Sequence, residues 1–92
     1  MERELNLSII IPVYNVANYL DKAIESVLSQ NISADMYEII LVDDGSTDAS
    51  GDKCDQWENR FPTLIKVIHK KNAGLGFARN SGLEVASGEY II

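Results

Sequence analysis

The sequence predicts an α/β fold, a three-layer α/β/α half-domain built on a mainly parallel sheet. Apolar, β-branched runs alternate with segments of helical periodicity in the order strand, helix, strand, helix, strand, helix, strand. The strand runs show little polar alternation, which is typical of strands covered on both faces. At about 30 residues per unit this is the rhythm of consecutive βαβ units, whose right-handed crossovers place helices on both faces of the sheet.

The composition is that of one compact domain, and it excludes several classes of protein. Ninety-two residues, 46% of them hydrophobic, suffice for one domain and not for two. A net charge of −6 argues against a nucleic-acid partner, because neutralising phosphates requires a basic surface. The single cysteine, Cys54, excludes an intrachain disulfide and suits a reducing compartment. No apolar run approaches the roughly 20 residues that span a bilayer, so we expect a cytoplasmic location and leave open membrane association of a longer protein.

The first unit follows a polar segment, residues 1–6, which we expect to be a flexible lead-in. Leu7–Val13 is the first predicted strand, and Pro12 marks its end because proline cannot donate to a ladder. A helix is predicted next, with Asn18 as a candidate N-cap and Asp21 turned away from the core. The apolar stripe of this helix consists of Leu20, Ala23, Ile24, Val27 and Leu28.

The second unit begins with Tyr37–Val42, a predicted strand that stops at a dense turn and cap signal, Asp43–Asp48. A helix from about Asp48 to Arg60 is predicted to follow. Its apolar positions are Cys54, Trp57 and Phe61, so Cys54 is interpreted as a core residue.

The third unit has a predicted strand at Leu64–His69 and a predicted helix at about Leu75–Ala86. This helix has a narrow face of small residues, among them Ala78 and Gly82. A fourth strand is predicted to begin at Glu89–Ile92. The units therefore give a sheet whose loops gather at the carboxyl ends of its strands, where parallel sheets bind ligands.

Asp43 and Asp44 are the most informative residues at that edge. Adjacent carboxylates repel each other, which raises a pKa unless something compensates. One interpretation is that they only close a turn and cap the next helix. The other is that one of them accepts a hydrogen bond from a ligand donor, such as a base N–H or a ribose hydroxyl.

Other residues at the strand ends also have two interpretations each. Tyr14 is either an ordinary loop aromatic or a flat surface for a planar ring. Lys70 and Lys71 precede a glycine-containing loop that could approach an anion, or are simply solvated. Arg79 could clamp a phosphate, or form an ion pair with Asp43 or Asp44. His69 is interpreted as a strand-end packing residue. The Gly74–Arg79 segment lacks the last glycine of a dinucleotide fingerprint.

Taken together and in order, four motifs carry a resemblance to a known family. They are Leu7-Ser-Ile-Ile-Ile-Pro-Val-Tyr-Asn15, Glu38-Ile-Ile-Leu-Val-Asp-Asp-Gly-Ser-Thr-Asp48, Asn72-Ala-Gly-Leu-Gly-Phe-Ala-Arg-Asn-Ser-Gly82 and Gly88-Glu-Tyr-Ile-Ile92. The chain resembles the N-terminal part of the family 2 inverting glycosyltransferases, which have the GT-A fold. The resemblance covers 7–92, so residues 7–92 are expected to be the nucleotide-binding part of such a domain, truncated before its metal-binding motif.

The resemblance implies an enzyme that transfers a sugar from a nucleotide-diphosphate sugar, usually a UDP-sugar, to a hydroxyl of a saccharide or lipid-linked acceptor. By position, Pro12 and Tyr14 would flank the base, and Asp44 would accept its imide N–H. Asp43 and Ser46 would shape that pocket. Lys71 and Arg79 would be donors towards the ribose or diphosphate.

The resemblance also implies what this chain lacks. The family's Asp-x-Asp motif, which binds Mn²⁺ or Mg²⁺, would follow Ile92, and no catalytic residue or metal ligand is assigned within the chain. We therefore expect the 92-residue chain alone to be inactive.

Two alternatives remain open. One is a non-catalytic nucleotide-binding module that self-associates as a homo-oligomer through an exposed sheet edge or truncated surface. The other, a flavodoxin-like phospho-acceptor domain, is disfavoured because its acidic pair should end the first strand.

Overall fold

The computed structural model describes residues 7–86 and 90–91, and the predicted lead-in, residues 1–6, lies outside the described part. Seven elements alternate along the chain. They are β1 (Leu7–Val13), α1 (Ala17–Leu28), β2 (Tyr37–Asp44), α2 (Ser50–Arg60), β3 (Ile65–Lys70), α3 (Leu75–Val85) and β4 (Tyr90–Ile91). The predicted order of strands and helices is thus confirmed, and β1 has the predicted bounds.

The four strands form one sheet in the order β3-β2-β1-β4, with every described pair parallel. Helices α1 and α2 contribute to a large apolar cluster on one face, and α3 contributes to a smaller cluster on the other. The predicted three-layer arrangement is therefore confirmed. Every residue of β2 is buried, as its unbroken apolar run predicts for a strand covered on both faces.

The small-residue face of α3 lets this helix approach the sheet closely. Ala78 is fully buried, and a Cβ added at Gly82 would lie 2.6 Å from Cγ2 of Ile10 in β1. A larger side chain at Gly82 would therefore push α3 off the sheet. This contact confirms the prediction for Ala78 and Gly82.

The start of α1 differs from the prediction. Val16, not Asn18, occupies the N-cap position, and no side chain of its own caps the helix. The first residue of α2 and the loop before it supply the acceptors instead: Ser50 Oγ accepts from the Val16 N–H at 2.9 Å, and Asp48 Oδ2 accepts from the Ala17 N–H at 3.2 Å. These contacts span more than thirty residues of sequence, so local capping patterns could not reveal them.

The helix surfaces also differ in two places. Asp21, predicted to face away, bonds across to α2, where Lys53 Nζ donates at 2.8 Å and Trp57 Nε1 at 2.9 Å. The hydrogen bonds from Lys53 and Trp57 lower the pKa of Asp21. Ala23, assigned to the apolar stripe of α1, is exposed, whereas Leu20 and Ile24 are buried.

Candidate nucleotide site at the carboxyl edge of the sheet

Asp43 and Asp44 are the last two residues of β2, which runs two residues further than predicted. Because side chains alternate along a strand, the two carboxylates leave opposite faces of the sheet. Asp43 lies opposite His69 of β3 and Asp44 opposite Lys70. Both are buried, at 6% and 1% exposure. The two carboxylates therefore occupy different surroundings in spite of being adjacent in sequence.

Asp44 is held by the loop that follows β3. Its Oδ1 accepts the Ala73 N–H at 2.9 Å and a longer bond from Lys70 Nζ at 3.3 Å. Its Oδ2 accepts the Gly74 N–H at 2.9 Å and Asn72 Nδ2 at 3.2 Å. Burial alone would raise the pKa of Asp44, but these hydrogen bonds outweigh it, and the pKa lies below its ordinary value. The carboxylate is consequently charged at neutral pH.

Gly45 permits this arrangement by letting the two loops touch. Its φ is +71°, and a Cβ there would lie 2.7 Å from the backbone nitrogen of Asn72. In addition, Asn72 Nδ2 donates to the Asp44 carbonyl at 2.9 Å. Asn72, which was not among the predicted site residues, is therefore the side chain that joins the loops after β2 and β3.

A cavity of about 360 Å³ opens beside Asp44. It brings together three of the predicted site residues, Pro12, Tyr14 and Asp44, as the predicted convergence of strand ends requires. Tyr14 is 41% exposed, so its ring is available to a ligand. The other lining residues are Val16, Asn72 and Gly74.

Asp43 and Ser46 do not line this cavity but support it from the other face of the sheet. Asp43 Oδ1 accepts the Ser46 N–H at 3.0 Å, and Asp43 Oδ2 lies 2.9 Å from His69 Nδ1. Burial would raise the pKa of Asp43, yet the bonds from Ser46 and His69 hold it below its ordinary value. The predicted mutual repulsion of the acidic pair is thus compensated for each member separately.

Asn15 ties the end of β1 to the loop after β2. It has a φ of +51°, a left-handed conformation that asparagine tolerates better than most residues. Its Oδ1 accepts the Thr47 N–H at 2.8 Å, and its own N–H donates to Ser46 Oγ at 3.1 Å. The loop that carries Tyr14 is therefore fixed to the Ser46 turn.

Two predicted residues lie elsewhere, and two interpretations are wrong. Lys71 is exposed, and Arg79 lines a separate cavity on α3. The alternative interpretation of Arg79, an ion pair with Asp43 or Asp44, is not realised in the described part, because His69 and Lys70 occupy those places. His69 is not a packing residue, since its ring lies between Asp43 and Asp55. Cys54 is buried as predicted, and burial raises its pKa to about 12.

Residues 7–86 and 90–91 contain no group of three or more His, Cys, Asp or Glu side chains placed to hold a metal ion. None of their helices has both the length and the apolar character that crossing a bilayer demands.

Named bacterial proteins are similar in sequence to this chain over most of its length. The chain is 45% identical over 85 residues to the glycosyltransferase GlyA of Streptococcus pneumoniae, covering 92% of this chain and 12% of that protein. It is 48% identical over 81 residues to the minor teichoic acid biosynthesis protein GgaA of Bacillus subtilis, covering 87% of this chain and 18% of that protein. The chain therefore spans less than a fifth of the length of these two relatives.

Solved structures share the fold. Staphylococcus aureus TarS 1–349 in complex with UDP-GlcNAc superposes with a TM-score of 0.85 at 30% identity, over 95% of this chain and 25% of that one. The mannosyltransferase PcManGT from Pyrobaculum calidifontis, in complex with GDP-Man and Mn²⁺, superposes with a TM-score of 0.86 at 26% identity, over 94% of this chain and 26% of that one. The family model for glycosyl transferase family 2 matches residues 8–92. Since that match includes nearly the whole sequence, the chain belongs to glycosyl transferase family 2.

Proposed function

We propose that this chain is the donor-nucleotide-binding part of a glycosyltransferase that transfers a sugar from a UDP-sugar to an acceptor hydroxyl. The observation that carries the proposal is the cavity in which Pro12, Tyr14 and Asp44 meet. Its volume of about 360 Å³ is near the lower end of the roughly 300–1,000 Å³ of ligand pockets. That size suits a nucleoside better than a whole sugar nucleotide.

In this proposal Tyr14 stacks on the uracil ring, Pro12 contacts it, and Asp44 accepts its imide N–H. An ionised carboxylate has about four lone-pair positions. Two of those of Asp44 receive backbone amides at 2.9 Å, while Lys70 and Asn72 make only longer bonds of 3.3 and 3.2 Å. A base N–H can replace one of the longer bonds without disturbing the backbone.

The other predicted site residues have less direct roles in binding the nucleotide. Asp43 and Ser46 shape the cavity through Asn15 and the loop that bears Tyr14. Lys71 and Arg79 are exposed cations, and we assign them to the ribose or diphosphate by their charge. In a chain of net charge −6 they neutralise a diphosphate poorly.

We further propose that the 92-residue chain binds nucleotide without transferring sugar. The described residues do not fit a divalent metal ion, so we derive no step of transfer through one. The acceptor we propose is a saccharide or lipid-linked glycan, in keeping with the teichoic acid biosynthesis named for two relatives. Sugar transfer by this chain from any UDP-sugar, with Mn²⁺ present, would contradict the proposed inactivity.

Calorimetric titration with UDP tests the binding site. Base–aromatic stacking contributes about 1–3 kcal/mol per base, so Tyr14→Ala should weaken binding about tenfold. Tyr19→Ala is the matched control, because Tyr19 is 71% exposed on α1 and lies outside the cavity. Asp44→Asn should also weaken the binding of UDP, whereas Asp35→Asn, at an exposed position before β2, should not. Equal affinities for the wild type, Tyr14→Ala and Asp44→Asn would contradict the proposed site.

A further inference from the structure

His69 joins two carboxylates through both nitrogens of its ring. Nδ1 lies 2.9 Å from Asp43 Oδ2, and Nε2 lies 2.7 Å from Asp55 Oδ1. Ionised carboxylates only accept hydrogen bonds, and a neutral imidazole has a single N–H to donate. Both contacts can be hydrogen bonds at the same time only when the ring is protonated. The His69 side chain is 46% exposed, so it can exchange protons with solvent.

Asp43 connects the His69 ring to the proposed nucleotide cavity. Asp43 uses its second oxygen, Oδ1, to accept the Ser46 N–H at 3.0 Å. Ser46 Oγ in turn accepts the Asn15 N–H at 3.1 Å. Asn15 directly follows Tyr14, which lines the cavity. A series of hydrogen bonds, joined through Ser46 and the peptide bond between Asn15 and Tyr14, therefore runs from the exposed ring to the cavity wall.

In the part of the chain that is described, few titratable or charged side chains face the His69 ring. Asp43 faces it from β2 and Asp55 from α2, and both favour the protonated ring. Gly51 of α2 leaves the space for these contacts, since a Cβ there would lie 2.8 Å from Asp43 Oδ2. The nearby Cys54 thiol is neutral because its pKa is raised to about 12. Lys70, the next residue of β3, pairs with Asp44 on the opposite face.

We propose that His69 is a positioning residue for the nucleotide cavity, and that its protonation tightens the hold of Asp43 on the Ser46 turn and the Tyr14 loop. This inference rests on the proposed function. In the neutral form the ring loses one of its two bonds, and either Asp43 or Asp55 faces an imidazole nitrogen that cannot donate. The hydrogen bonds that the ring donates to Asp55 and Asp43 raise the pKa of His69 above its usual value of 6.5, which places the transition on the alkaline side of that value.

Titration with UDP at several pH values tests the proposal. As pH rises above 6.5 through the transition of His69, the wild-type affinity should fall about fivefold, at the lower end of the usual coupling between linked sites. His69→Gln should bind UDP at the weaker, alkaline level throughout. Its affinity at each pH provides the correction for ionisation of UDP itself. Asp55→Asn should move the transition to lower pH, and Asp52→Asn, which removes a charge from an exposed position of the same helix, should not.

A second measurement on the wild-type chain without ligand separates this inference from the proposed function. The backbone amide signals of Ser46 and Asn15 should shift in nuclear magnetic resonance spectra with the same midpoint as the His69 ring. The inference would be overturned if the Ser46 and Asn15 amide signals did not shift while the ring titrates. It would also be overturned if the UDP affinities of the wild type and His69→Gln had the same pH dependence. Absence of UDP binding at every pH would instead reject the proposed function, and the amide signals would still decide whether His69 positions the loop.

Discussion

Replacing Gly45 by alanine should damage the contact between the loops after β2 and β3. An L-residue in the left-handed conformation costs about 1–2 kcal/mol, and Gly45 has a φ of +71°. The new Cβ would lie 2.7 Å from the Asn72 nitrogen and 3.1 Å from its Cβ. Relieving such overpacking costs about 1–3 kcal/mol, and backbone cannot move aside as a flexible side chain can. We expect a total loss of about 3 kcal/mol in the free energy of unfolding.

Three other glycines provide matched controls for the same change. Gly74 also has positive φ, +105°, but among the described residues no atom outside its chain neighbours lies within 4 Å of its added Cβ, so Gly74→Ala carries strain without a collision. Gly76 in α3 has neither a positive φ nor a close contact at the added Cβ, so alanine should stabilise the helix there by about 0.5–1 kcal/mol. Gly82 lies in the same helix against Ile10 Cγ2 at 2.6 Å, so Gly82→Ala should be destabilising by about 1–2 kcal/mol.

Urea unfolding followed by the fluorescence of Trp57, the single tryptophan, measures all four variants by linear extrapolation. Trp57 of α2 is buried in the large apolar cluster on that face of the sheet, so its emission should report loss of the core. The reasoning fails if Gly45→Ala is no less stable than Gly74→Ala, since the contact with Asn72 would then contribute nothing. It fails equally if Gly82→Ala is as stable as Gly76→Ala.

Three further predictions concern ionisable and reactive groups. The raised pKa of His69 means that its stabilising contribution is complete below pH 6.5 and is lost as pH rises through the folded-state pKa; the urea midpoint should fall over that range in the wild type and not in His69→Gln. Lys66→Met should lower the free energy of unfolding by about 1–2 kcal/mol, because Lys66 Nζ lies 2.9 Å from the carboxylate of Glu38, which is 1% exposed; Lys66→Arg should recover part of the loss, and an unchanged urea midpoint in Lys66→Met would count against the pair. The Cys54 thiol, fully buried with its pKa raised to about 12, should react with a disulfide reagent only as the chain unfolds in urea, so rapid labelling of the native chain would disprove its burial.

The sequence identified the elements well because their signals are local. The run Leu7–Val13 is β-branched and apolar, and it forms β1 with the predicted bounds. The end of β2 was misplaced because Asp43 and Asp44 are typical turn residues. They remain in the strand because residues 26 to 30 positions later satisfy their oxygens. No local pattern carries that information.

The site residues were predicted unevenly for a related reason. Pro12, Tyr14 and Asp44 meet because parallel strands end at a common edge, which topology alone requires. Choosing between Lys70 and Lys71 needs the register of β3 against β2, since that register places Lys70 opposite Asp44. One feature of the sequence points to Asn72, its position two residues before Gly74 in the loop after β3. Its hydrogen bond to the Asp44 carbonyl, however, depends on how closely Gly45 approaches the Asn72 backbone, which no sequence pattern reveals.

The acidic pair shows how strand geometry gives two adjacent, chemically identical residues different tasks. Alternation sends Asp43 towards α2 and Asp44 towards the loop before α3. Asp43 takes its charge compensation from His69, a ring that loses its proton on the alkaline side of 6.5, and from the Ser46 amide. Asp44 takes most of its compensation from backbone amides, which do not titrate. The carboxylate that lines the proposed nucleotide cavity therefore keeps its charge over the pH range in which His69 titrates, while its neighbour can transmit the change at His69 to the surrounding loops.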